Sequence, residues 1–267
     1  MPTFSRPLHS ALRPYVTSCV GYDYVLDDPH ATHHGLPSTG LTVVLSFPEP
    51  LDCGWLDTAD TRRHWTMVAG IHDRPALIRT HGVQCGMQLQ LTPTGARRIL
   101  GLPAGQLART IAQHDDVGAA FDDALHRQLA DVDWGSRFDL LERHLLHRLT
   151  ATERSSSSPE LSAVWTMITT HHGAYRIDRI ADDVGWSRRH LRNRFIDEFG
   201  LSPKRLSLLA RFDRAHQLAT DGMPLATVAH TTGYTDQAHL NRDWRAFAGQ
   251  TPRETLGEFP SVQEPLP

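Results

Sequence analysis

The 267-residue sequence is poor in cysteine, in long apolar runs and in the short motifs that mark common enzymes. Its three cysteines, Cys19, Cys53 and Cys85, are widely spaced, odd in number and free of C-x-x-C pairs. A four-cysteine zinc site is therefore excluded, and the thiols read as reduced ones in a cytosolic protein rather than a disulfide framework. No stretch approaches the roughly 18 consecutive apolar residues that a membrane span needs. The opening MPTFSRPLHSALRPY lacks the unbroken apolar core of a secretory signal, so a cytoplasmic location is expected. There is no Walker A loop, no G-x-G-x-x-G fingerprint and no G-x-S-x-G elbow, and no catalytic residue is nominated. Nor does one sign of charge dominate. The net charge is −3, with 13 Lys and Arg against 11 Asp and Glu over 160–256 and 14 against 17 over 1–159. Clustering has to carry the argument that totals do not.

What is present is a chain of two halves. ERSSSSPE (153–160) is a polar serine run ending in proline, the composition of an interdomain linker. Before it, TVVLSF (42–47), HWTMVAGI (64–71) and GMQLQL (86–91) are brief β-branched or alternating runs between Pro, Gly and Asp, as in a sandwich or barrel. TPTGARRILG (92–101) then opens on Thr and Pro and closes on Gly, the asymmetry of a helix. In FDLLERHLLHRL (138–149), Phe138, Leu141, Leu145 and Leu149 form one helical stripe. That stripe suits either packing on its own domain or a helix pair between two copies of the chain. The expected class is α+β: a β-rich N-terminal domain with trailing helices (1–152), a linker (153–160) and an all-α domain (161–257).

After the linker one pattern occurs twice, over 177–203 and 225–252. Ile177, Ile180, Ala181, Gly185 and Trp186 match Leu225, Val228, Ala229, Gly233 and Tyr234 at an offset of 48. Leu191, Phe195, Gly200 and Pro203 match Leu240, Trp244, Gly249 and Pro252 at an offset of 49, so one extra residue lies in the second turn or at its helix start. The apolar i, i+3 pair faces a first helix inward, alanine allows a close crossing, and glycine ends the helix in a left-handed conformation. Ser187 and Thr235 can cap the next helix. Leu191 with Phe195, and Leu240 with Trp244, anchor it at i, i+4. This is the helix-turn-helix layout, with LSLLARFDRAHQLA (206–219) as a helical strut between the units.

The outward face of the first reading helix carries Arg188, Arg189, His190, Arg192, Asn193 and Arg194, with no acid until Asp197 and Glu198. The second offers Gln237, His239, Asn241, Arg242 and Arg245. Arginine reads guanine and grips phosphate, and Asn and Gln read adenine, so this face suits duplex DNA. Arg192 and Asn193 lie opposite the Leu191/Phe195 stripe and should face base edges. Arg188 suits a flanking phosphate, and Arg245 lies further down its helix, nearer the backbone.

The paired units, their connecting helix, the endings FGLSP and AGQTP, and GYTDQAHLNRDWRAFAGQTP resemble the AraC/XylS family of transcription regulators over about residues 161–256. The resemblance implies base contacts from Arg189, Arg192 and Asn193, and from Gln237, His239 and Arg242. It also implies a cupin-like effector and dimerisation domain at the N-terminus. HHGLPS (33–38), GIHDRPA (70–76) and LTPTGARRILGLPAGQL (91–107) look like regulators of this family from high-GC bacteria, and they identify no ligand. Expected partners are double-stranded operator DNA, RNA polymerase, a small-molecule effector and a second copy of the chain, with no membrane contact and no cofactor. Two departures stand out. Trp244 and Ala248 occupy positions where phenylalanine is usual, with Ala246–Phe247 as partial compensation, and Asp243 puts an acid on the second reading helix.

The alternative reading is a metal-dependent cupin enzyme fused to a DNA-binding module. His30, His33 and His34 of HATHHG, with His64, His72 and His81, supply imidazoles that bind transition metals. HATHH lies in a Gly- and Pro-bounded segment with no carboxylate at a fixed close spacing. These histidines therefore read as loop or pocket residues satisfied by backbone, and no metal ligand is nominated.

Overall fold

The computed structural model describes residues 3–257, except 27, 29, 118 and 152–157. Most of the serine-rich segment proposed as a linker thus lies outside the described residues. Ser158, at its end, caps the helix that follows by accepting from the backbone N–H of Leu161.

Among the described residues, ten strands form two antiparallel sheets. The larger runs β1 (Thr3–Ser5), β2 (Val16–Val25), β9 (Val83–Leu91), β4 (Leu41–Phe47), β7 (Thr66–Ala69) and β10 (Ile111–Gln113). The smaller runs β3 (Thr32–Gly35), β8 (Ala76–Arg79), β5 (Leu51–Trp55) and β6 (Thr61–His64). The expected short β-runs are here, and the larger sheet is covered on both faces. Side chains alternate across a strand, so Val44 joins Tyr22, Tyr24, Met67, Cys53 and Ala76 between the two sheets. Its neighbours Val43 and Leu45 face the other way, into a core shared with helices. That double coverage is why β4 is buried at every position and reads as a continuous apolar run rather than an alternating one.

HATHH differs from its sequence reading: residues 32–35 are strand, paired antiparallel with β8 from Thr32↔Arg79 to Gly35↔Ala76. Four residues flanked by turn formers carry too little pattern to announce a strand, and tertiary pairing decides it.

The helix opened by Thr92 begins as expected. Thr92 Oγ1 accepts from the N–H of Gly95, and the turn ends at Gly101 with φ +79°. Behind the larger sheet lie α1 (Pro93–Gly95), α2 (Ala104–Leu107), α3 (Asp123–Ala130) and α4 (Trp134–Ala151). On α4, Phe138, Leu141 and Leu145 are buried in the core of their own domain, with Leu149 packed beside them. Own-domain packing thus accounts for the stripe.

The C-terminal part is helical: α5 (Pro159–Thr170), α6 (Ile177–Asp183), α7 (Arg188–Phe199), α8 (Pro203–Thr220), α9 (Leu225–Thr231), α10 (Gln237–Ala248) and α11 (Pro252–Gly257). The strut α8 serves two cores. Leu206 and Ala210 pack with α5, α6 and α7. Leu209, Phe212, Ala215 and Leu218 join α9 and α10, in a cluster continuous with the N-terminal domain. Among the described residues, no helix is long and apolar enough to cross a membrane.

Candidate nucleic-acid interface

Each repeat folds as two helices around a tight turn, for the reasons its residues supply. In the first unit Ile180, Ala181, Leu191 and Phe195 are buried together, and the chain leaves α6 through Gly185 at φ +69°. Ser187 caps α7 by accepting from the N–H of His190 at 3.2 Å. The second unit buries Val228, Ala229, Leu240 and Trp244 and turns through Gly233 at φ +76°. Its cap is Asp236, which accepts from the N–H of His239 at 2.7 Å, not Thr235 as the sequence suggested. The extra residue of the second copy therefore sits in the turn. It moves the cap one place on, and an aspartate there is an equally good acceptor.

With Leu191 and Phe195 inside, α7 leaves Arg188, Arg189, Arg192, Asn193 and Arg194 exposed along its length. With Leu240, Trp244, Phe247 and Ala248 inside, α10 exposes Gln237, Arg242 and Arg245. His239 is half-buried. Its ring stands edge-on to Tyr234, with Thr235 Oγ1 at 3.4 Å from Nδ1 and Asp243 Oδ2 at 4.0 Å from Nε2. The acid on this helix is thus turned toward its own histidine. On the first unit, His190 likewise lies edge-on to Trp186. The exposed cations of the two helices are arginines, whose charge is fixed at any working pH and whose planar fork suits guanine edges and phosphate alike.

The departure at Trp244 is resolved by packing. Trp244 is fully buried, its Nε1–H donates to Thr255 Oγ1 at 2.8 Å, and its ring meets Phe212 nearly at right angles. Phe247 stacks on Phe212, with centroids 5.1 Å apart. Phe247 thus supplies the aromatic bulk that Ala248 does not, while Ala246 is exposed.

Contacts between the two halves were not legible in the sequence. Arg97 donates from Nε and Nη2 to both carboxylate oxygens of Glu198 in the last turn of α7, at 2.8 and 2.5 Å. Arg205 on α8 donates to Asp73, which also receives Arg109. Burial pulls the Asp73 carboxyl upward, and the two guanidinium groups outweigh it and hold it below the usual carboxylate range. His34, in β3, bonds the carbonyl of Ala248 at 2.8 Å, the backbone satisfaction expected of it. The glycines that end α7 and α10 are also points where the halves touch. A Cβ on Gly200 would collide with Ala108, and one on Gly249 would meet Leu56, Pro75 and His34. These partners lie about a hundred positions or more apart in the chain, beyond any local periodicity.

The histidines of the alternative, metal-dependent reading are dispersed. His72 Nδ1 donates to the carbonyl of Arg74 at 2.7 Å, and His81 faces Asp52 at 4.0 Å. Among the described residues, no three His, Cys, Asp or Glu side chains come together as a ligand set.

Similarities to known proteins fall on this part of the chain and on the fold as a whole. A family model described as a helix-turn-helix domain matches residues 180–258. An uncharacterized HTH-type transcriptional regulator of Staphylococcus aureus is 23% identical over 145 residues, covering 52% of this chain and 20% of that protein. The uncharacterized HTH-type transcriptional regulator YbfI of Bacillus subtilis is 28% identical over 105 residues, 38% of each chain. The chain thus spans about a fifth of the length of the Staphylococcus relatives it matches. The structure of ToxT from Vibrio cholerae superposes with a TM-score of 0.56 at 9% identity, over 89% of this chain and 97% of that one. Another ToxT structure, solved with an unsaturated fatty acid bound, gives 0.54 at 10% identity over 94% and 96%. At such identities the likeness is one of fold: a β-domain followed by paired helix-turn-helix units.

Proposed function

We propose that the chain is a one-component transcription regulator whose C-terminal helix-turn-helix domain is of the AraC type. In this reading α7 and α10 enter adjacent major-groove segments of operator DNA about one helical turn, ~10.5 bp, apart. Arg189, Arg192 and Asn193 read bases from the first helix, and Gln237, His239 and Arg242 from the second. Arg188 and Arg245 grip flanking phosphates. Residues 1–152 form a domain for effector sensing and dimerisation, 153–160 the linker, and 161–257 the reading head. ToxT has been solved with an unsaturated fatty acid, which supports a small-molecule effector here as well. RNA polymerase and a second copy of the chain complete the proposed partners, in the cytoplasm where the chromosome lies.

The observation that carries this reading is the pair of exposed, arginine-bearing helices presented by two repeats of one helix-turn-helix frame. Selection from a random duplex library with the full chain tests it. Enrichment of a motif with two blocks one helical turn apart is expected. Recovery of no motif across several rounds would refute sequence-specific reading.

A further inference from the structure

A cavity of about 570 Å³ opens between the N-terminal β-domain and helices α5 and α8 of the helical half. Its size is that of a small-molecule site, ~300–1,000 Å³. The space between the two β-sheets, bordered by Tyr24, His33 and Gln88, is only about 60 Å³ and holds no such ligand as it stands. The larger cavity takes walls from both halves: Thr39 and Gln90 on the β side, Trp165 on α5, and Phe212, Asp213 and His216 on α8.

The charge inventory of these walls is lopsided. Asp213 is the sole carboxylate among the described lining residues, and there is no lysine or arginine. His216 lies against Phe212 and Trp244, and burial holds its imidazole neutral by pushing its pKa down to about 4. Asp213 is crowded by protein on its inner sides and open to the cavity on the other, so its own surface is only half-buried. Thr39, on the facing wall, favours the charged form of that carboxyl but does not outweigh its burial. An ionised carboxylate has about four acceptor positions, so a single polar neighbour leaves it with capacity to spare. Burial drives its pKa up to about 7, the response of a carboxyl with no cation beside it. An anionic ligand would stand next to Asp213 with no basic group to receive it. A cationic ligand would supply the missing partner and find aromatic faces for its body.

We propose that this cavity binds a small organic cation, a protonated amine whose N–H groups meet the Asp213 carboxylate while its apolar body lies against Trp165 and Phe212. The site bridges β-strands of one half to α5 and α8 of the other. Occupancy therefore ties the reading head to the β-domain, and this regulatory consequence rests on the function proposed above. Ligand binding itself does not depend on it.

Calorimetric titration of the full chain with three matched probes tests the site: 2-phenylethylamine, 2-phenylethanol and 3-phenylpropanoate. The amine is expected to bind at least tenfold more tightly than the alcohol, and the acid more weakly than either. Asp213→Asn should cut the preference for amine over alcohol to about twofold or less. Thr166→Trp, which drives a ring into the cavity from an exposed position on α5, should abolish binding of both. If Asp213→Asn does not fold, the parent and Thr166→Trp titrations still decide whether the cavity is the site. Failure of the amine to bind, an acid that binds as tightly as the amine, or an amine affinity untouched by both substitutions overturns the site. Duplex binding by the same preparations separates the two claims. A chain that binds DNA but not the amine refutes this site alone, and one that binds the amine but no DNA refutes the regulator.

Discussion

Arg97 of the N-terminal domain grips Glu198, in the last turn of the first reading helix, through two parallel hydrogen bonds of 2.8 and 2.5 Å. Both side chains are largely shielded from water, so removing one leaves the other charge poorly compensated. Arg97→Ala should lower stability by ~1–3 kcal/mol, below the full cost of a deeply buried pair because each partner keeps some solvent. Denaturant unfolding of Arg97→Ala, Glu198→Ala and the double variant would show it. The double variant should cost less than the two single changes added together, and strict additivity would mean the pair contributes nothing jointly.

Trp244 depends on Thr255 in the same way. Its indole N–H is buried and donates to that hydroxyl. Thr255→Val keeps the shape and strands the donor, at an expected cost of ~1–3 kcal/mol. In a Trp244→Phe background, where no donor remains, the same change should cost clearly less. An equal loss in both backgrounds would assign the effect to the bond from Thr255 to the Thr251 carbonyl instead.

Asp213 sets a pH dependence of stability. Its folded pKa is raised from 3.8 to about 7 by burial, with Thr39 opposing. Between those values the folded chain holds a proton that the unfolded chain has lost. Its favourable contribution is therefore complete below about pH 4 and is lost as pH rises through about 7. Unfolding free energies of parent and Asp213→Asn, measured from pH 4 to 8, should diverge in favour of the variant until about pH 7 and then run parallel. Buried His72 and His216, both pushed down to about 4, are common to the two proteins and drop out of the difference. A difference that stays flat across this range would contradict the position assigned to Asp213.

How far the sequence reached follows from the range of the interactions involved. The tandem units were legible because their signals are local: Leu191 with Phe195, and Leu240 with Trp244, lie one turn apart and face a core a few residues thick. The cap of α10 was misplaced by one residue because Thr235 and Asp236 are both good acceptors, and only the turn geometry chooses between them. Strand β3 was missed because its register is set by β8, more than forty positions away. The contacts of Arg97, Asp73 and His34 with the helical module, and the cavity beside Asp213, join segments with no common pattern. Composition and periodicity carry no information about such meetings.

Arg188 should act on affinity, not on sequence preference. It stands at the start of α7, exposed, beside the cap Ser187. Arg188→Ala should weaken binding to all duplexes alike and reduce the salt slope by about one phosphate. Filter binding to matched and unrelated duplexes at several salt concentrations would detect this. A change confined to one base position would move Arg188 from the phosphate to a base edge.

Methylation interference at guanine N7, on a selected operator, reads the major groove directly for the full chain and for Arg192→Ala and Arg242→Ala. Two groups of interfering guanines about one helical turn, ~10.5 bp, apart are expected. Arg192→Ala should erase contacts in one group and Arg242→Ala in the other, each at a cost of ~1–3 kcal/mol in discrimination. A single group of contacts, or two groups that both variants leave intact, would contradict the placement of α7 and α10 in the major groove.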